Sequence, residues 1–429
     1  MAGNVTKSWE SRLKKRSAQA AEGPMSALQL VDKYGPIAQQ SVAKKLDITV
    51  PAAFFHCQKL RLEGLIKPVK QKHPADNPGN NRGRPSALWD IDRLNNFTIG
   101  LTTVPPLLLI GLANFNGKIV IQHQHDLSSM GEQKDFLEVI DSFIATSKEY
   151  VSRASGSIRS VFAGMPGYLD SSGVVSFSVN MPLIVGLDIE KYMHDKHGLF
   201  CRSLTHYYSM YFGEKEFFPS DTTLSVVDWE LGLGHVAGCN DEIYSIAGRN
   251  GLISKGIRDI GHMRVVRDGR ECHCGRKGCL EAYAGGWAIL RQLNRPDIQK
   301  LSDIVAFAHR GDRQVLDELN KAIKFLGVQM TWVVRFLGTD RIVITGPLSE
   351  VFPLVRDAFC EGLKQDMTNE EVKALNPVAS VNHSSRMLSG ACRLGKHIFL
   401  HPEAYLKQRG EVASTANGGI QMKNHEAVA

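Results

Sequence analysis

The sequence predicts an α/β protein with an N-terminal winged helix-turn-helix in front of two α/β lobes. Three observations predict it. Residues 1–93 hold sixteen Lys and Arg against eight Asp and Glu, a surplus of +8, whereas the whole chain of 429 residues nets only +7. That basic segment divides into three short helical stretches and two strand-like runs, the order of a winged helix. Behind it, strands alternate with helical patterns in two successive blocks, as α/β layers require.

Residues 1–24 are polar and basic without sustained periodicity and are expected to be a flexible N-terminus. The winged domain is placed at 25–93. Met25 to Asp32 has an amphipathic turn pattern that Gly35-Pro36 breaks. Ile37 to Leu46 reads as a second helix, with Ile37, Val42 and Leu46 as core contacts. Asp47-Ile48-Thr49 makes a tight turn, Thr49 caps the third helix, and Pro51 suits its first turn. That helix runs to about Glu63, with Ala53, Cys57 and Leu60 inward and Ala52, His56 and Lys59 on the opposite side. Leu65–Lys70 and Ala87–Ile91 are expected strands flanking a polar wing loop that ends in Asn81-Arg82-Gly83-Arg84-Pro85.

Such a segment fits nucleic acid, because a polyanion favours a localised positive balance. Val50, Ala52, Ala53, His56 and Lys59 are expected in or near the major groove. The slim Arg82-Gly83-Arg84 segment suits the minor groove, where negative potential is strongest over A·T tracts.

Lobe 1 is placed at 94–220. Pro105–Ala113 reads as a buried strand, Gly117–Ile121 as its hairpin partner after a turn at Asn116-Gly117, Phe136–Ser147 as a helix and Ile158–Ala163 as a further strand. Lobe 2 is placed at 221–384, opening on the strand Thr223–Asp228. Two helical stretches over about 301–337 precede the strand Arg341–Thr345. An apolar helix at 385–400 is expected to pack back on the body, and 401–429 reads as a disordered tail.

Within lobe 2, Gly261-His262 precedes Cys272, Cys274 and Cys279, with glycines at 275 and 278. Three thiolates and one imidazole suit a closed tetrahedral zinc site, and the glycines let the loop fold tightly enough for the sulfurs to converge. The remaining five of the eight cysteines are scattered in apolar contexts, which argues against a disulfide framework. No run of about 18 apolar residues suggests a membrane span, and the basic N-terminus lacks the apolar core of a secretory signal. A cytoplasmic, nucleoid-associated location without membrane insertion is therefore expected.

Taken together, Arg258-Asp259-Ile260-Gly261-His262, the run Cys272 to Glu281 and the winged helix resemble the ROK family of repressors, open reading frames and sugar kinases over nearly all of residues 25–400. The resemblance implies a two-lobed actin-like ATPase fold with sugar in the cleft. It implies that His262, Cys272, Cys274 and Cys279 hold the zinc and that Asn180, Asp259, His262 and Glu281 hold sugar hydroxyls, His262 serving both. Carboxylates suit the sugar role because each accepts more than one hydroxyl hydrogen bond.

The kinase half departs from the family pattern. The Asp-x-Gly-Gly-Thr phosphate loop reads Ala113-Asn114-Phe115-Asn116-Gly117. The asparagine and catalytic aspartate read Thr205 and His206. Gly-Thr-Gly reads Gly232-Leu233-Gly234, and a later double glycine reads Gly346-Pro347. Phosphoryl transfer needs a phosphate cradle and a base, so no catalytic residue and no enzymatic activity are expected. The implied function is a transcriptional regulator of carbohydrate metabolism, a repressor that binds a double-stranded DNA operator as a homodimer or homotetramer under control of a sugar or sugar phosphate. A divergent ATP-dependent sugar kinase with a regulatory DNA-binding head is the alternative.

Overall fold

A computed structural model describes residues 23–69, 88–104, 106–170, 172–178, 181–244 and 260–402. The flexible N-terminus expected at 1–24 lies outside the described residues except for its last two. The wing loop with Arg82 and Arg84, Asn180, Asp259 and the tail beyond residue 402 also lie outside them.

The head comprises helix α1 (residues 23–34), strand β1 (Ile37–Ala38), helices α2 (Gln39–Leu46) and α3 (Val50–Leu62), and strands β2 (Ile66–Val69) and β3 (Leu88–Ile91). The second helix begins two residues later than the periodicity predicts. Ile37-Ala38 instead pairs antiparallel with Trp89-Leu88, giving a three-stranded sheet of order β1-β3-β2. The turn between α2 and α3 is set locally. Asp47 takes a left-handed conformation with φ 53°, a conformation Asp tolerates better than most residues. The Thr49 side chain then accepts a hydrogen bond from the Ala52 amide at 3.4 Å.

Lobe 1 holds β4 (Asn96–Val104), β5 (Leu107–Asn114), β6 (Ile119–Asp126), α4 (Gln133–Arg153), β7 (Ser157–Met165), the short hairpin β8 (Tyr168–Leu169) and β9 (Val175–Phe177), α5 (Ile189–His197), β10 (Cys201–Thr205) and α6 (Tyr207–Glu214). Lobe 2 holds β11 (Leu224–Trp229), β12 (Leu233–Cys239), β13 (Glu242–Ile243), α7 (Glu281–Ala284), α8 (Gly286–Leu293), α9 (Leu301–His309), α10 (Arg313–Leu337), β14 (Arg341–Thr345), α11 (Phe352–Leu363), α12 (Asn369–Leu375) and β15 (Val378–Ala379). The chain closes with α13 (His383–Leu400).

The two main sheets repeat one topology. Their orders are β10-β7-β4-β5-β6 and β13-β12-β11-β14-β15. In each, the first strand of the lobe sits centrally, pairs antiparallel with the second, and pairs parallel with the fourth. This duplication is what the actin-like resemblance implies. The central strand β4 escapes the sequence patterning because Asn96, Thr98, Thr102 and Thr103 interrupt its apolar residues, yet every position in it is buried.

Helices α6 and α13 lie between the lobes in an apolar layer that includes Tyr208, Tyr211, Met387 and Leu388 together with Val226 and Val236 of β11 and β12. They approach so closely that a Cβ at Gly213 would strike the Arg386 carbonyl and one at Gly390 would strike the Ser209 carbonyl. Buried Glu214 then ties α6 to the start of α13, accepting from Arg386 at 2.5 Å and from the Ser380 hydroxyl.

The far end of α13 carries the head. Leu400 and Phe115 belong to the same apolar cluster as Leu28, Val31, Trp89 and Ile91 of the head. The Gln29 amide donates to the Leu400 carbonyl at 2.8 Å. Asp32 pairs with Lys396 at 3.1 Å and with Arg93 at 3.6 Å.

Candidate functional site

The cysteine loop converges as its spacing predicts. A single 3-10 turn, Ile260–His262, presents His262 toward the loop. Gly275 and Gly278 adopt φ of 81° and 77°, and a Cβ at Gly278 would strike the Val266 carbonyl. The His262 Nδ1 lies 3.5 Å from the Cys272 Sγ and the Cys274 Sγ lies 3.7 Å from that of Cys279. All four donor atoms fall within 4.8 Å of one another. A tetrahedron with zinc–sulfur bonds of about 2.3 Å has edges of about 3.8 Å, close to the 3.5 Å and 3.7 Å separations within the two pairs. Burial pushes the Cys272 thiol up to about 12. At Cys274 burial pushes upward as the largest single effect, but hydrogen bonds from the Arg276 side chain, 3.3 Å away, from the Arg276 backbone and from Cys272 and Cys279 together outweigh it and bring that thiol down to about 7. The cluster can bind a metal ion.

Glu281, the first residue of α7, braces this loop against the sheet. Its Oε2 accepts from the Leu233 amide at 3.1 Å and its Oε1 from the Trp287 indole at 2.9 Å. The Trp287 ring in turn stacks on His273 with centroids 3.9 Å apart. Of the four residues implied for sugar, His262 and Glu281 are described, and Gly261, next to His262 in the chain, packs against the Glu281 carboxylate. Asn180 and Asp259 lie outside the described residues.

The positions implied for phosphate chemistry have other roles. Ala113 is buried in β5. Asn114 ends that strand, and its side chain accepts from the amides of Asn116 and Lys118, closing a tight hairpin. Phe115, at its tip, is 3% exposed and points into the head rather than into the cleft. His206 sits at the start of α6 with its ring 4.3 Å from that of Tyr207.

Sequence reasoning passed over Asp228 and Glu230, which flank Trp229 at the end of β11. Asp228 is 8% exposed, and its carboxylate crowds Gly346 of the loop after β14. Burial raises it to about 7. Burial, reinforced by the charge of Asp228, holds Glu230 well above its ordinary range. Both carboxylates, with Glu281, act electrostatically on the buried Tyr207 hydroxyl. The signal in the sequence was an acid set into the end of an apolar strand with a second acid just beyond it.

On the head, Val50 and Lys59 are exposed and Ala52 is half-buried. Ala53 and His56 are not available to a groove. Ala53 is fully buried and His56 only 7% exposed. The reason is helical periodicity, since 53, 56, 57 and 60 form one i, i+3, i+4, i+7 stripe that must face the core. The His56 ring packs so closely on Gly23 that any side chain there would collide with it. Burial, then the charge of Lys59, lowers its affinity for a proton. The outward face carries Phe54 and Phe55 instead, 48% and 67% exposed. Arg82 and Arg84 lie outside the described residues.

The ROK family profile matches residues 108–398. The chain is 22% identical over 331 residues to a xylose repressor of Bacillus spizizenii, covering 75% of this chain and 81% of that relative. It is 24% identical over 396 residues to the DNA-binding transcriptional dual regulator NagC of Escherichia coli, covering 87% and 91%. A crystal structure of a ROK family transcriptional regulator, a homolog of the E. coli MLC protein, superposes with a TM-score of 0.72 at 19% identity, covering 91% of this chain and 98% of that one.

Proposed function

The chain belongs to the ROK family, and on that premise we propose that it is a sequence-specific DNA-binding transcriptional repressor of carbohydrate metabolism genes, controlled by a sugar or sugar phosphate held in a degenerate kinase cleft. One observation carries the reading. The hairpin that corresponds to the family's phosphate loop ends in Phe115, and Phe115 is a core residue of the winged head. The same turn cannot cradle a phosphate and anchor a DNA-binding domain through a buried phenylalanine.

The other side of the cleft supports the loss of kinase chemistry. Asp228 and Glu230 lie just before Gly232-Leu233-Gly234, where the counterpart of the family's Gly-Thr-Gly motif lacks the threonine hydroxyl. His206 replaces the catalytic aspartate, yet no cradle remains to present a phosphoryl group to it. Effector binding falls to Asn180, Asp259, His262 and Glu281, and structural zinc on His262, Cys272, Cys274 and Cys279 would hold one wall of that pocket.

Operator binding uses Val50, Ala52 and Lys59 of α3 in the major groove and Arg82 and Arg84 of the wing in the minor groove. Helix-turn-helix proteins read half-sites about one helical turn apart, so two heads are needed and a homodimer or a dimer of dimers is the working unit. No helix among the described residues is long and apolar enough to cross a membrane. A regulator of genes works at the nucleoid.

Two assays test the reading together. Genomic fragments retained by the full chain are measured for affinity across a salt series, with a steep loss expected on raising salt. The same preparation is screened by thermal shift against monosaccharides and sugar phosphates, where a ligand of the native state raises the midpoint. Salt-independent, sequence-independent retention together with ATP-dependent phosphorylation of any sugar in a coupled assay would favour the kinase alternative.

A further inference from the structure

Helix α3 departs from the pattern of a surface helix, which carries apolar residues on one stripe and polar residues on the other. Its core stripe is complete, yet the opposite side presents Val50, Phe54, Phe55 and Leu62 at 43%, 48%, 67% and 88% exposure. With apolar residues on both faces the helix has almost no amphipathic asymmetry. Two adjacent phenylalanines held in water mark a partner surface. Among the described residues, the only ring contact of Phe55 is an edge contact with His56 at 6.1 Å.

The surroundings say what that partner is. Lys59 and Arg61 close α3, one turn beyond Phe55 and two turns beyond Phe54 on the same sides of the helix, so the apolar patch is flanked by cations. A second copy of the chain docking here would bring two such sets of cations together, and like charges oppose that. A polyanion with apolar points on its floor fits both features. The DNA major groove is such a surface, and its apolar points are the C5 methyl groups of thymine, which phenylalanine can contact. Phe54 and Phe55 sit in the first two turns of α3, the part of a recognition helix that meets base edges.

We infer that Phe54 and Phe55 read thymine methyl groups, so that the operator half-site carries A·T pairs where the start of α3 enters the groove. This rests on the DNA-binding reading above. It assigns specificity at those positions to apolar contact, whereas the cations supply affinity without sequence information.

The test is in vitro selection from a randomised duplex library with the full wild-type chain and with Phe54→Ala and Phe55→Ala. The winning duplex is then resynthesised with deoxyuridine for thymidine, one position at a time. Wild type should enrich thymine at fixed positions and lose about fourfold in affinity per methyl removed at those positions. Each variant, folded by circular dichroism because the ring it lacks is exposed, should bind thymidine and deoxyuridine duplexes equally at the position its ring reads. Equal wild-type affinity for both duplexes overturns the inference, as does a thymine preference surviving in both variants. Dissociation of an oligomer by these substitutions without DNA also overturns it, in favour of self-association. A wild-type chain that enriches no sequence sinks the DNA-binding reading itself, a result distinct from the others.

Discussion

The ring of Phe115 lies 5.9 Å from that of Phe399, tilted by 59°, with the Lys396 ammonium 6.0 Å from the Phe115 centroid. Through this contact the β5–β6 hairpin of lobe 1, the end of α13 and the winged head share one apolar cluster. Helix α13 begins beside Glu214 at the junction of the lobes and ends under the head. Head and cleft are therefore joined by one continuous helix, and a change in lobe geometry has a rigid element along which to reach the DNA-binding surface.

Replacing Phe115 by alanine should test how much this joint holds. The side chain is almost wholly buried, and Phe→Ala in a packed core costs about 3–5 kcal/mol. Limited proteolysis should cut between head and body sooner in Phe115→Ala than in wild type, while the body unfolds near its usual midpoint. Unchanged cleavage and an unchanged midpoint would show that the head is held mainly by the polar pins from Gln29 and Asp32.

Removing the metal cluster gives a second expectation. Cys279 is completely buried and Cys272 nearly so, so both are committed to the loop rather than to solvent. Cys272→Ala should purify without the one zinc per chain expected of wild type, read by dye release after denaturation. Its melting midpoint should fall by several degrees, because binding energy at such a site is folding energy. Cys239→Ala, which leaves the cluster intact, should retain the metal. If the pocket wall and the lobes are coupled through His262, the zinc-free variant also changes operator affinity or effector response.

Much of this was legible in the sequence, and the failures have physical causes. Helix starts carry strong local signals, so Thr49 and the turn before it were readable. The cysteine loop was readable because tight spacing with two glycines has few alternatives. His56 was misassigned because a histidine beside Phe54 and Phe55 looks like the polar side of the helix, whereas the helical repeat puts it with Ala53, Cys57 and Leu60. Strand β4 was missed because the buried threonines of a central strand mimic a solvated segment. The joint at Phe115 was beyond reach, since it depends on residues 284 positions apart in the chain meeting across three elements. Asp228 looked like the end of a strand, and only the packing around Gly346 reveals how deeply it is buried.

Wing contacts should separate by substitution. Arg82→Ala with Arg84→Ala should weaken binding to operators flanked by A·T tracts more than to G·C-flanked ones, since a narrow minor groove concentrates negative potential. The slope of log affinity against log salt should fall by roughly two, one per lost phosphate or groove cation. Equal losses on both flanks would make the arginines simple phosphate contacts, and no loss would remove the wing from the interface.

The carboxylate at Asp228 sets a pH dependence whose sign can be worked out. Burial raises its folded-state value to about 7 from an ordinary 3.8, so between those values the folded chain holds a proton that the unfolded chain has released. The contribution of Asp228 to stability therefore falls as pH rises from about 4 toward 7 and levels off above that. The full difference is worth up to roughly 4 kcal/mol, at about 1.4 kcal/mol per tenfold change in proton affinity. Asp228→Asn removes the ionising group while keeping its shape. It should melt higher than wild type at pH 8, close to wild type at pH 5, and show a shallower slope between them. Thermal melts of both proteins across that range are the measurement. A wild-type midpoint that rises with pH through this window, or an asparagine variant less stable at pH 8, would mean that the carboxylate is paired in its ionised form. In that case a cation in the cleft, not burial alone, governs this loop.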